Sequence, residues 1–235
     1  MTAAEIFAEL KTLGTPTIKN VLMRHGAKEP FYGVKIEVLK KYQKKIKKDY
    51  QLALDLYETG CSDAMYLAGL IADDERMTKK DLQRWVKGAY WHMLSGYTVA
   101  WVAAGSKHGR ELALEWIDSK AEQTAVAGWC TLSHLVALKD DDDLDLPELK
   151  KLLTRVGKTI KSQPDPVREA MNGFVIAAGC YVQALTDLAV KTAEKIGPIE
   201  VDQGDTSCKV PWAPDYIQKA KDRGTLGKKK KTVKC

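Results

Sequence analysis

The sequence predicts an all-α protein in which paired helices stack into a curved solenoid. Three observations carry this. Segments with apolar residues at helical spacing follow one another along almost the whole chain, many opened by a capping residue or a Pro. The loops between them run roughly two to six residues, which favours antiparallel neighbours packed in pairs. No alternating apolar–polar run is bounded by tight-turn dipeptides, so strands have no signature.

Taken in order, Thr2-x-x-Glu5 is a capping box ahead of an Ile6, Leu10, Leu13 stripe, and Gly14 stops that helix. Thr15-Pro16 opens the second, with Pro at the first helical position. Gly26 to Pro30 is a loop leading into Phe31-Tyr32-Gly33-Val34. Helices are predicted near 35–48, 50–59, 62–73, 78–88, 89–104, 106–118 and 121–137, with Thr78 and Asp81 as a capping pair. The acidic stretch Lys139 to Asp143 interrupts the series. Pro147 reopens a helix over 147–161, Asp165-Pro166 starts one over 165–179, and a last long one covers 181–195. Pairs recurring every ~35–45 residues, with no exact sequence repeat, fit a HEAT-like α-α superhelix better than a closed bundle. The strongly apolar segments 89–104 and 121–137 belong to its inner layer.

The helical repeat domain is taken as residues 1–197. Residues 198–235 form a C-terminal extension: a loop, a short helix over 212–223, and a basic tail from Gly227 to Cys235 that is expected to be mobile.

With 235 residues, 45% hydrophobic and 29% charged, the chain can bury a sizeable core and is not disordered throughout. No apolar run approaches the ~18–20 residues needed to cross a bilayer. The N-terminus lacks the basic and apolar regions of a secretory signal, so a cytoplasmic protein without a membrane partner is expected. The five cysteines are scattered without any CxxC, which argues against a disulfide framework or a zinc site. No metal and no cofactor is expected. Asp140 to Asp143 lacks calcium-loop spacing and reads as a solvated linker. Gly204 to Lys209 lacks the order of a phosphate loop, and His25, His92, His108 and His134 form no HExxH motif.

The net charge of +6 suggests an acidic partner, but residues 205–235 hold nine Lys or Arg against three Asp and account for all of it. A nucleic-acid footprint on the body therefore requires local segregation of charge. One candidate is the helix carrying Lys40, Lys41, Lys44, Lys45, Lys47 and Lys48, where 40-44-48 and 41-45 form adjacent cationic rows. Such rows suit a phosphate-contacting strip or a solvated outer face. The aromatic segment with Trp85, Tyr90, Trp91, Tyr97 and Trp101 cannot point one way, so some of these rings are core and Trp91 is the first candidate for a groove.

Several of these segments resemble, in chain order, the DNA-alkylation-repair glycosylases of the AlkD type. They are Leu22-Met23-Arg24-His25-Gly26, Pro30 to Val34 with the Lys-rich helix, Trp85 to Ala104 centred on Tyr90-Trp91-His92, and Arg168 to Val175. The resemblance extends loosely over residues 15 to 195. It implies a right-handed HEAT-like array with a cationic concave face for double-stranded DNA. It also implies excision of cationic alkylated purines, with two tryptophans flanking the lesion's sugar and an aspartate stabilising the developing charge. On this mapping Trp91 keeps one aromatic wall, Phe174 stands for the second tryptophan, and Ser95 stands where the aspartate would be. Thr124 falls near a DNA-contacting arginine. Arg168 joins Lys40, Lys44, Lys45 and Lys48 as candidate DNA contacts. A hydroxyl in place of a carboxylate beside a forming cation costs on the order of several kcal/mol. His25, His92, Glu122 and Asp187 are the groups available to substitute. Three readings stay open: a DNA-binding relative without excision, a weak 3-methyladenine/7-methylguanine glycosylase, and a helical scaffold for protein partners.

Overall fold

The computed structural model of the chain describes residues 1–202 and 208–234. Gly204 to Ser207 and Cys235, named above, lie outside these residues. Helices run α1 Ala3–Leu13, α2 Pro16–Arg24, α3 Ile36–Ile46, α4 Tyr50–Glu58, α5 Ser62–Ile71, α6 Lys79–Gly88, α7 Ala100–Gly105, α8 Gly109–Trp116, α9 Glu122–Leu138, α10 Leu146–Thr159, α11 Asp165–Tyr181, α12 Thr186–Ile196 and α13 Ala213–Asp222. No strand occurs among the described residues.

Both expected capping boxes form. The Thr2 amide donates to Glu5 Oε2 at 2.8 Å and the Glu5 amide to Thr2 Oγ1 at 3.2 Å, and Thr78 and Asp81 repeat the arrangement at α6. Each satisfies amides that the first turn leaves open.

The helices stack in two layers. Helices α3 and α5, the π-helical segment Met93–Val99 with α7, and then α9 and α11 touch in succession, while α4, α6, α8 and α10 cover them from the other side. Polar bonds between neighbouring cover helices record the repeat. Tyr50 donates to Asp81, Lys79 to Glu111, Gln83 to Glu115, and Arg110 to Glu148, across 31 to 38 residues. These exposed pairs contribute only ~0–1 kcal/mol each. Stability comes from the apolar seam between layers, where Trp85, Trp101, Trp116, Trp129 and Phe174 are fully buried. Gly128 lets α8 and α9 close tightly, because a Cβ there would sit 2.7 Å from the Ile117 nitrogen.

Three local expectations are corrected. Segment 89–104 is not one helix: Ala89 to Trp91 are non-helical and Met93–Val99 is a π-helix that runs into α7. The lysine helix stops at Ile46, where Lys47 turns to φ 66°, so Lys48 lies beyond it. The final long helix begins at Thr186, after a 3-10 turn at Gln183–Leu185.

A further correction concerns the tail. Residues 226–234 are fixed across the C-terminal ends of the inner helices. The Gly227 amide donates to the Cys180 carbonyl at 2.9 Å and the Lys230 amide to the Ala137 carbonyl at 2.7 Å. Lys229 Nζ reaches the Val136 carbonyl at 2.9 Å and Asp141 at 2.7 Å. Lys234 Nζ reaches the Ala72 carbonyl at 3.1 Å and Asp74 at 2.7 Å. Val233 packs against the core between them. The last carbonyls of a helix lack partners and carry partial negative charge, so amides and ammonium groups suit them. Upstream, α13 seats Ala213 and Ile217 in the core, the latter against Gly179 of α11.

Candidate nucleic-acid interface

The inner helices run in the same direction, so the candidate residues fall into two groups at opposite ends of that layer. α9 alone spans about 25 Å at 1.5 Å per residue over its 17 residues.

Of the positions drawn from the resemblance, Trp91, Ser95 and Thr124 lie toward the N-terminal end, and Phe174 lies midway along α11. The Trp91 indole N–H donates to Ser62 Oγ at 2.8 Å, its ring lies edge-on to His92 at 5.0 Å, and the side chain is only 4% exposed. The wall expected to face a groove is thus turned inward by its bond to α5. Ser95 is 0% exposed, and its hydroxyl donates to Gln123 Oε1 at 2.7 Å, with the Trp91 carbonyl 3.2 Å away. Phe174 is equally sealed, tilted against Trp129 at 5.4 Å. Ser95 and Phe174 are thus both enclosed within the protein. Thr124 is half-buried in the first turn of α9.

Among the described residues the carboxylates named as substitutes, and the one beside Ser62, are engaged or exposed elsewhere. Asp63, next to its partner Ser62, accepts from the Tyr32 amide at 2.5 Å and the Val34 amide at 2.9 Å. Burial pushes the Asp63 carboxyl up, against these amide bonds that pull it down. Glu122 and Asp187 are exposed, the latter on α12. Burial holds His92 below its ordinary value, with His25 adding to the depression, so it offers a neutral ring. Arg168 is engaged locally. Its guanidinium donates to the Glu200 carbonyl at 2.7 Å and the Gln163 carbonyl at 3.0 Å and pairs with Asp165 at 3.3 Å. The two terminal nitrogens hold residues 163–165 and 200 together, while Nε is buried without a partner among the described residues.

The C-terminal group makes a cleft of about 650 Å³ between the end of α3 and the docked tail. Lys40, Lys44, Lys47, Lys48, Lys231 and Lys234 line it, with Asp74 as the carboxylate, above a floor that includes Trp101 and Leu138. The 40-44 row with Lys48 therefore faces the cleft, while Lys45 is exposed outside its lining. Lys48 leans 3.9 Å from Asp73, an exposed pair that leaves it available. The sequence signalled the α3 lysines but not their partner wall, which comes from the far end of the chain.

His134, on α9 beneath the tail, contacts the Gly96 carbonyl of the π-helix at 3.4 Å. Burial pulls its imidazole down to about 4; the Gly96 bond opposes this, and Lys230 adds to the depression. An unfolded histidine binds a proton near 6.5, so its contribution to stability is full above that value and is lost as pH falls toward 4. Melting temperatures measured from pH 7 to pH 4 should show a loss of about 2–3 kcal/mol that His134→Gln removes. An identical pH profile in the variant would contradict this assignment.

Residues 6–202 match the DNA alkylation repair enzyme family. An uncharacterized protein of Listeria innocua is 33% identical over 229 residues, covering 95% of this chain and 99% of that one. Another, from Listeria monocytogenes, is 32% identical with the same coverage. Among solved structures, a member of a new family of proteins related to the HEAT-like repeat DNA glycosylases, with affinity for branched DNA structures, matches with a TM-score of 0.91. It is 36% identical, and the match covers 100% of both chains. By the extent of these matches and its stack of HEAT-like helix pairs, the chain belongs to the DNA alkylation repair enzyme family.

Proposed function

We propose that this protein binds DNA through its phosphate backbone, favours branched over plain duplex DNA, and excises no base. The observation that carries the reading is the contrast between the two ends of the inner layer. Toward one end stand the buried Ser95 hydroxyl and the enclosed Trp91 ring, with Phe174 sealed midway along α11, at the positions the resemblance assigns to catalysis. A cleavage that builds positive charge on the sugar finds, among the described residues, a hydroxyl at the position where the carboxylate would stabilise it. At the other end, six lysines and one carboxylate line an open cleft on a body whose overall charge is balanced. The affinity for branched DNA described for the solved relative supports the same reading.

The test pairs two assays on the full chain. Titration of a four-way junction and of a duplex of equal length should give junction binding about tenfold tighter or more. Incubation with alkylated DNA at high protein concentration should release no methylated base. Failure to bind either DNA at low salt would remove the binding reading; release of 7-methylguanine or 3-methyladenine would restore the glycosylase.

A further inference from the structure

We infer that the C-terminal segment 226–234 is a fixed second wall of the DNA site, and that the cleft it forms with α3 receives the sugar–phosphate backbone of a single strand. The inference rests on the DNA-binding reading and deepens it by naming the segment and the ligand.

Four inner helices finish along this edge, at Ile71, Gly105, Leu138 and Tyr181. Their final carbonyls present negative charge, which repels phosphate. The segment covers that charge. Its amides at Gly227 and Lys230 and its ammonium groups at Lys229 and Lys234 bond carbonyls at the ends of α5, α9 and α11. Its inward lysines thus neutralise the edge, and its outward ones add charge of the opposite sign.

The division of labour is visible along the chain. Lys229 and Lys234 are partly buried and paired with Asp141 and Asp74, whereas Lys228, Lys230 and Lys231 are exposed. Lys231 is pinned on both sides, by the Lys230 amide on Ala137 and by Lys234 on Asp74, and it lines the cleft with Lys44, Lys47 and Lys48. A cation held in place loses less freedom when it meets a phosphate than one on a loose tail. Gly105 permits the anchor: a Cβ there would fall 2.3 Å from Asp74 Oδ2. At about 650 Å³ the open cleft has room for the backbone of one strand. Branched DNA supplies such a strand where its arms part.

The experiment measures junction affinity for the full chain, Lys231→Glu, Lys234→Gln and a chain ending at Gly227, with melting temperature and proteolysis of the tail followed in parallel. Lys231→Glu should weaken binding about tenfold with the melting temperature unchanged. Lys234→Gln should expose the tail to protease and weaken binding as well. The shortened chain should lose at least as much affinity as Lys231→Glu, and a ten-residue oligothymidylate should compete with the junction for the full chain but not for the shortened one. A full chain that binds junction normally but is indifferent to Lys231→Glu overturns this inference alone, as does tighter binding after the tail is removed. A full chain that binds no junction overturns the DNA reading and this inference together.

Discussion

Phe174→Ala should lower the stability of the fold by about 3–5 kcal/mol while leaving the DNA affinity of the folded fraction unchanged. The ring is fully enclosed between α9 and α11, against Trp129, in the interface where these two long helices meet. Removing it takes apolar surface out of the core and leaves a cavity that the crowded helices cannot collapse into. For a chain of this length the loss corresponds to a fall in melting temperature of about 6–10 °C. Thermal unfolding followed by circular dichroism checks it. The resemblance assigned this position to a lesion-facing aromatic wall, and the two roles give opposite outcomes. A variant that melts like the parent but binds DNA poorly would return Phe174 to the DNA surface.

Much of the architecture could be read from residues alone. The Thr2/Glu5 and Thr78/Asp81 boxes form as their spacing indicates. The helix-pair period shows up in side-chain bonds such as Lys79 to Glu111, 32 residues apart. The π-helix at Met93–Val99 was not legible, because one extra residue in a turn shifts the apolar face without leaving a stop signal. Burial of Trp91 was not legible either. A tryptophan in an apolar helix looks the same whether its N–H meets water or, as here, the Ser62 hydroxyl.

The docked tail was the largest omission. Lys229 and Lys234 find partners 93 and 160 residues away, beyond the reach of any local spacing rule. One hint was present: the acidic run at Asp140 to Asp143 and the lysine run at 228–231 have opposite charge, and Asp141 does pair with Lys229. Read separately, each run looked like a solvated segment.

The second large effect is expected at α3. Replacing Lys44 and Lys48 with Glu removes two cations from the cleft and puts two anions against the phosphates. Affinity for a junction should fall about a hundredfold at moderate salt, since attraction lost and repulsion gained act together. Lys44 is exposed and Lys48 has only the weak Asp73 contact, so stability should change little. The same exchange at Lys45, outside the cleft lining, should cost much less.

The most direct test is the dependence of junction affinity on salt for the parent and for Lys44→Glu/Lys48→Glu. Each phosphate neutralised adds roughly 0.7 (single strand) to 0.9 (duplex) to the negative slope of log affinity against log salt. The parent should show a slope of several units, and the variant should lose about two of them. A parent slope near zero, or equal slopes in parent and variant, would contradict the assignment of the lysine cleft as the place where DNA is held.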